Sequence, residues 1–211
     1  MEPGSKKLMR RVEIVKQKNK CMYNLKIISS TVRPGRKGPI VTKWITDLAK
    51  QGENFNVEVL DLGEINLPMM NEPNHPSLKK YQHEHTKQWS AKIDEADAFI
   101  FVTAEYDYNY PAPLRNALEY LSQEWAYKAA GVVSYGGVSG GTRALNSLKN
   151  DLASLKVVAL TEAVNFPFFQ KNINDDNEFI ANEISHKAAD NMLKQLIRWT
   201  KGLKAIREDK D

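Results

Sequence analysis

Short apolar runs alternate with longer segments in which apolar residues recur three and four positions apart. The short runs predict β-strands, and the longer periodicity predicts amphipathic helices. The predicted strands are 24–30, 55–60, 98–103, 129–135 and 156–160. The predicted helices are 39–50, 77–95, 114–123, 142–154 and 177–205.

Five strands that alternate with five helices predict an α/β fold with a parallel sheet and helices on both faces, because the crossovers are right-handed. The strand at 98–103 (AFIFVT) is apolar on both faces, which is typical of a central strand. Two strand orders fit this pattern: 2-1-3-4-5, and the start of 3-2-1-4-5. In either order a ligand binds beyond the carboxyl ends of the strands.

Length and composition are those of one globular domain. The chain has 211 residues, of which 42% are hydrophobic and 27% charged. Its single cysteine, Cys21, excludes a disulfide framework and a cysteine zinc cluster, and it fits a reducing compartment, so we expect a cytoplasmic protein. No apolar run approaches the roughly 18 residues of a membrane span.

The net charge of +4 is concentrated at the N-terminus. Seven of the 30 basic and two of the 26 acidic residues lie in 1–24, so this segment carries +5 and the remainder −1. The nearly neutral remainder gives no reason to expect a nucleic-acid partner. We therefore divide the chain into a basic N-terminal extension, 1–23, and a domain, 24–206.

The loop after the first strand has the composition of a phosphate site. It reads TVRPGRKG over 31–38 and precedes a helix that Pro39 is suited to begin. The hydroxyl of Thr31, the guanidinium groups of Arg33 and Arg36, and the positive end of the helix dipole all favour a phosphate there. The loop lacks both the G-x-G-x-x-G and the G-x-x-x-x-G-K-[ST] motifs.

The loops after the third and fourth strands predict the rest of a ligand site. Residues 104–113 (AEYDYNYPAP) supply three tyrosines that suit the wall of a flat ligand. Residues 134–141 (SYGGVSGG) contain four glycines, which let main-chain N–H groups approach a ligand. A phosphate pocket, an aromatic wall and a glycine-rich ledge at one sheet edge suit flavin mononucleotide (FMN).

Two other patterns suggest chemistry that we do not expect. Residues 137–141 match the hydrolase motif G-x-S-x-G, but the only later histidine, His186, lies within the predicted terminal helix. The run His83-Glu84-His85 lies in a predicted helix, where residues two apart point about 200° away from each other. We therefore expect neither a catalytic triad nor a metal site.

The motifs TVRPGRKGP (31–39), TAEYD (103–107), YPAPLRNALE (110–119) and SYGGVSGG (134–141) resemble those of the NADPH-dependent FMN reductase family. These flavodoxin-like proteins include quinone and azo-dye reductases. The resemblance covers about 24–200 and implies the strand order 2-1-3-4-5. The family's proline and asparagine in the second motif are here Ala104 and Asp107.

The resemblance implies that NADPH passes a hydride to bound FMN and that a quinone, an azo compound or free flavin then takes it, in a ping-pong reaction. It also implies a homodimer or homotetramer. The flavin carries the chemistry, so no catalytic side chain is named. The alternative is an FMN-binding electron carrier or scaffold without enzymatic activity.

The cofactor-binding residues predicted on these grounds are Thr31, Arg33, Arg36, Gly38, Pro39, Ile40, Ala104, Glu105, Tyr106, Asp107, Tyr108, Ser134, Tyr135, Gly136, Gly137, Ser139 and Gly140.

Overall fold

The structure is a computed structural model that describes residues 22–209. The basic extension 1–23 lies almost entirely outside the described residues. The strands are β1 (Tyr23–Ser29), β2 (Phe55–Asp61), β3 (Ala98–Ala104), β4 (Ala129–Tyr135) and β5 (Val158–Phe166). The α-helices are α1 (Gly38–Gln51), α2 (Leu62–Ile65), α3 (Glu84–Asp94), α4 (Ala112–Glu119), α5 (Thr142–Ser154) and α6 (Glu183–Glu208).

The five strands form one parallel sheet in the order β2-β1-β3-β4-β5. This confirms the flavodoxin-like order 2-1-3-4-5. The order reverses between β1 and β3, so the loops after these two strands diverge to opposite faces and leave a crevice at the carboxyl edge. The three loops predicted to bind FMN all lie along this edge.

Helices cover both faces of the sheet, as predicted. Helices α1 and α6 pack on one face through residues such as Val41, Ile45 and Met192. Helices α3, α4 and α5 pack on the other face, around Trp125. Every residue of β3 and β4 is buried, which explains why both sequences are apolar without alternation.

Two predicted helices begin too early. The segment predicted as helix 77–95 forms a 3₁₀ turn at Pro76–Leu78, and α3 begins only at Glu84. The Glu72 carboxylate accepts the N–H groups of Gln82 and His83 and so fixes an extended entry to the helix. Likewise, α6 begins at Glu183 rather than 177, because the Asn182 side chain caps the N–H of Ser185.

The fifth strand is longer than predicted. It runs through Phe166 instead of ending at Leu160, and its pairing with β4 shifts register between Ala130 and Val132. Glu162 interrupted the apolar run on which the prediction relied. An edge strand can carry such a residue because only one of its sides pairs with the sheet.

No helix among residues 22–209 combines the length and the apolar character that crossing a membrane requires.

Lys128, just before β4, carries a buried amino group. Its Nζ donates to the main-chain oxygens of Ile93 and Asp94 at 2.7 and 2.9 Å, at the end of α3. Burial lowers the pKa of Lys128 to about 8, against an ordinary 10.5. Between about pH 8 and pH 10.5 the unfolded chain binds more protons than the folded one. The contribution of Lys128 to the free energy of unfolding therefore rises with pH.

We predict that the free energy of unfolding of the wild type, relative to Lys128→Met, increases by about 1–3 kcal/mol between pH 7.5 and about 10. Urea unfolding at both pH values measures this difference. The control is Lys87→Met, which replaces an exposed lysine of α3 and is expected to show little change. A wild-type–variant difference that does not vary with pH would contradict the prediction.

Candidate functional site

The loops after β1, β3 and β4 contact one another at the carboxyl edge of the sheet. The guanidinium carbon of Arg33 in the first loop lies 6.0 Å from the ring centroid of Tyr106 in the second. Arg143, which follows the third loop, lies 3.9 Å from the ring centroid of Tyr108. The structure therefore brings together the three segments that the sequence analysis selected.

Buried hydroxyl groups surround Gly38 at the start of α1. A Cβ at this glycine would lie 2.3 Å from Thr31 Oγ1, 2.8 Å from the Tyr135 hydroxyl and 3.6 Å from Ser29 Oγ. None of these three oxygens has a hydrogen-bond partner of good geometry among the described residues. Burial raises the pKa of Tyr135 to about 12, and the nearby Thr31 hydroxyl offsets part of this effect. Buried hydroxyls normally have partners, so this cluster fits the binding of a polar ligand group.

The first turn of α1 is open to such a group. No side chain caps the helix, and its first turn contains no acidic residue. Pro39 is the second helical residue, where its missing N–H costs no hydrogen bond, and Ile40 follows it. The positive end of the helix dipole therefore faces the hydroxyl cluster without a neutralising carboxylate.

The two arginines of the first loop have different surroundings. Arg36 is paired with Asp61 at the end of β2 and donates to the main-chain oxygen of Thr31 at 2.6 Å. Gly63 leaves room for the guanidinium, since a Cβ there would lie 2.7 Å from it. Arg36 thus holds the loop against β2. Arg33 is exposed and forms no ion pair within residues 22–209.

The second loop contains a tight turn at Asp107 and Tyr108. Their φ angles are +48° and +67°, and the flanking residues Tyr106 and Asn109 exchange both main-chain hydrogen bonds, at 2.8 and 2.9 Å. Asp and Asn both tolerate a left-handed backbone. The change from the family's asparagine to Asp107 therefore keeps the turn and adds a charge. Ala104 is the last residue of β3, and all of β3 is buried.

Glu105 joins the second loop to the third. Its carboxylate accepts the main-chain N–H of Arg143 at 3.1 Å and Nε of the same residue at 2.8 Å. Burial acts to raise the pKa of Glu105, but hydrogen bonds from Ser139, Arg143 and the Ala144 N–H lower it below its ordinary value. The ionised carboxylate caps α5 and holds both loops together.

The glycine-rich loop is held from beneath by the segment after β5. Gly136 and Gly137 accept main-chain hydrogen bonds from Phe169 and Phe168, at 3.3 and 2.9 Å. Gly140 has φ +61°, and a Cβ there would lie 2.9 Å from the nitrogen of Pro167. Only glycine fits this contact. Gly137 has open space where a Cβ would lie, so its main chain can approach a ligand.

Ser134 and Tyr135 end β4 beneath this loop. The Ser134 hydroxyl donates to the Gly140 carbonyl at 2.8 Å and accepts from Asn165 at 2.6 Å. Ser134 therefore fixes the loop and is itself fully buried.

Exposed apolar side chains surround the site. These aromatic and branched side chains are exposed instead of packing in the core, which suits contact with a flat ligand. They are Val32 (43% exposed), Tyr106 (38%), Tyr108 (68%), Val138 (73%) and Phe168 (49%).

The hydrolase motif does not form a catalytic site with His186. The Ser139 hydroxyl accepts the Gly141 N–H at 3.3 Å and donates to the Glu105 carboxylate. His186 packs against Trp44 on the α1–α6 face, with ring centroids 5.6 Å apart. Serine and histidine therefore belong to different parts of the molecule, and the geometry does not form a triad.

The predicted separation of His83 and His85 is wrong. Their rings stack with centroids 5.2 Å apart, because His83 has extended backbone and precedes α3 instead of lying within it. Within residues 22–209 no group of three histidine, cysteine or acidic side chains is placed to hold a metal ion.

Sequence reasoning missed four residues that shape the site. Asp61 and Asn165 position loops from the ends of β2 and β5, and both depend on long-range contacts. Arg143 lies two residues beyond the glycine-rich motif. Phe168 belongs to the segment FPFFQ, whose aromatic composition after a strand was an available signal.

Fold and site together define a flavodoxin-like protein with a place for a phosphorylated, flat ligand. The NADPH-dependent FMN reductase family model matches residues 23–171. The chain belongs to this family. Membership confirms the predicted oxidoreductase class, with FMN and NADPH as its cofactors.

Individual relatives are consistent with this assignment. An NAD(P)H-dependent FMN reductase of Schizosaccharomyces pombe is 41% identical over 133 residues, which cover 62% of this chain and just under two thirds (66%) of that protein. An NAD(P)H:quinone oxidoreductase of Solanum tuberosum is 46% identical over 61 residues, or 28% of this chain and 31% of that one.

The fold is shared with a solved flavoenzyme, the NAD(P)H:(acceptor) oxidoreductase FerB from Paracoccus denitrificans. The TM-score is 0.66 at 21% sequence identity, over 86% of this chain and 98% of FerB.

We predict that Glu105→Gln lowers the free energy of unfolding by about 1–3 kcal/mol at pH 7, because it weakens charged hydrogen bonds at a mostly buried position. The folded-state pKa of Glu105 is lowered, so its contribution is complete above the ordinary value and is lost as pH falls below it. The variant and wild type should therefore converge in acid.

Urea unfolding at pH 7 and near pH 3 measures both effects. The matched control is Glu119→Gln, which alters an exposed ion pair with Arg115 and should cost at most about 1 kcal/mol. Equal losses in the two variants would contradict the role given to Glu105.

Proposed function

We propose that this protein binds one FMN at the carboxyl edge of the sheet and transfers a hydride from NADPH to a quinone or another flat acceptor. One observation carries the proposal. The buried hydroxyls of Thr31 and Tyr135, which have no hydrogen-bond partner of good geometry within residues 22–209, face Gly38 at the start of α1. A phosphate supplies acceptors for these donors and complements the helix dipole.

The residues present fit FMN in this site. Thr31, Tyr135 and the first turn of α1 would hold its phosphate, with Arg33 adding a charge-assisted contact. Arg36 would act indirectly, because Asp61 and the Thr31 carbonyl already engage it. The main chain of 105–108 and of 136–140 would line the flavin ring.

When bound, FMN supplies the ring that accepts and donates hydride. The protein's residues bind and orient the reactants, and none is required as a general acid or base. The exposed rings of Tyr106 and Tyr108 stand where a flat acceptor can stack. NADPH and the acceptor would use the same face of the flavin ring in turn, because the protein would cover the other face of the ring.

The relatives support quinones as the acceptor class, and azo compounds or free flavin share the required flat shape. We also propose a homodimer or homotetramer in the cytoplasm. Trp199 and Ile206 of α6, 48% and 58% exposed, are candidates for a subunit contact that sedimentation analysis can test.

We predict that Arg33→Ala weakens FMN binding by about 1.5–3 kcal/mol, the usual contribution of a hydrogen bond to a charged group. Riboflavin, which lacks the phosphate, should bind much more weakly than FMN to the wild type and should respond little to the substitution. Fluorescence titration with both flavins gives the four dissociation constants.

Arg198→Ala is the control, since this exposed arginine lies on α6 and contacts only Gln195 through its guanidinium in the described structure. It should leave both flavins unaffected. Equal wild-type affinities for FMN and riboflavin would show that the phosphate site has been misassigned.

We further predict ping-pong kinetics. Parallel double-reciprocal lines should appear when NADPH and quinone are varied, and high quinone should compete with NADPH. Intersecting lines, together with a ternary complex at equilibrium, would refute the use of one shared face.

A further inference from the structure

We propose that Arg143 binds the adenosine 2′-phosphate of NADPH and thereby gives the enzyme a preference for NADPH over NADH. The inference rests on the proposed function. It adds a specificity-determining residue that lies outside the predicted cofactor-binding set.

Two contacts with the protein hold the guanidinium group of Arg143 in place. Nε donates to Glu105 Oε1 at 2.8 Å, and the guanidinium carbon lies 3.9 Å from the centroid of the Tyr108 ring. Neither Nη donates to a residue in the described part of the chain, and the side chain is 40% exposed. Two parallel N–H groups held in this way can bind an oxyanion bidentately with little loss of side-chain entropy.

The Glu105 carboxylate does not occupy the two Nη groups of Arg143. Glu105 is only 8% exposed, and its oxygens accept hydrogen bonds from Ser139, Arg143 and main-chain N–H groups. The negative charge is therefore directed into the protein while the guanidinium faces solvent.

Tyr108 supplies the second half of the recognition. Its ring is 68% exposed, and Arg143 covers only one face, so the other face can stack with a purine. In NADPH the adenine and the 2′-phosphate belong to the same nucleoside. The adenine would stack on the Tyr108 ring while the phosphate binds the neighbouring Arg143. NADH lacks this phosphate, so Arg143 would be left without its anion.

Arg143 suits this role better than the other arginine at the rim. Arg33 lies beside the hydroxyl cluster of the first loop, where the FMN phosphate is proposed to bind. Arg143 contacts the next tyrosine of the turn, Tyr108, and lies two residues beyond the glycine-rich loop, which leaves it available for a second phosphate.

The direct test compares two nucleotides that differ only in phosphate position. Calorimetric titration of the FMN-loaded protein with 2′-AMP and 5′-AMP should show tighter binding of 2′-AMP. Arg143→Gln should weaken 2′-AMP binding by about 10- to 100-fold and change 5′-AMP binding little. Arg198→Gln, the matched control on α6, should change neither.

The kinetic test uses the ratio of kcat/KM for NADPH to that for NADH. This ratio should fall by about the same factor in Arg143→Gln, because any loss from the weakened Glu105 contact acts on NADPH and NADH alike and cancels in the ratio. Arg143→Lys, which keeps the charge but loses the bidentate geometry, should give an intermediate ratio. Thermal unfolding and the flavin spectrum show whether each variant is folded and loaded.

Equal losses for NADPH and NADH would overturn the proposal, since they would assign Arg143 to the pyrophosphate or to loop structure. Unchanged ratios in both variants, or a loss confined to anionic quinones, would also overturn it. Failure of the wild type to bind FMN would instead refute the proposed function, and titration of the same protein with 2′-AMP would still test Arg143.

Discussion

The ion pair between Glu105 and Arg143 connects the two loops that we propose line the flavin ring. Its carboxylate lies at the start of α5 and is mostly buried, so its charge must be met by the helix N–H groups, Ser139 and the guanidinium. If this carboxylate were unpaired, the tyrosine turn and the glycine-rich loop would lose their common anchor. The orientation of Tyr108 above Arg143 depends on the same contact.

A second constraint acts at the opposite side of the site. The hydroxyls around Gly38 are buried and have no hydrogen-bond partner of good geometry within residues 22–209, which costs stability in the free protein. Such a cost is expected where a ligand later supplies the missing hydrogen bonds. The Arg36–Asp61 pair and the Arg36–Thr31 hydrogen bond hold the first loop against the end of β2, so the loop is already positioned in the free protein.

The parallel sheet and the three site loops could be predicted because periodicity identifies the elements and topology places the carboxyl ends of parallel strands at one edge. Periodicity left two strand orders open, and the family resemblance was needed to choose between them. The first residues of two helices could not be predicted from periodicity. Glu72 delays α3 and Asn182 delays α6 through side-chain caps that compete with helical periodicity. The pairing of Arg36 with Asp61 joins residues 25 positions apart, and no local pattern specifies it. Arg143 was missed because its role comes from Glu105, which is 38 residues away.

The charges around the proposed flavin site, on Arg33, Arg143 and Lys171, help to distinguish an enzyme from an electron carrier. A carrier of this fold would be expected to dock a basic partner through acidic groups around the flavin edge. Here the rim contains Arg33 and Arg143, each next to an exposed tyrosine, and Lys171 lies 5.2 Å from the Phe168 ring centroid. Asp107 contributes a single opposing charge at the apex of the turn. A cationic, aromatic rim attracts small anionic aromatic molecules, and dinucleotides have that chemistry. The surface therefore favours turnover of small substrates over docking of a basic protein.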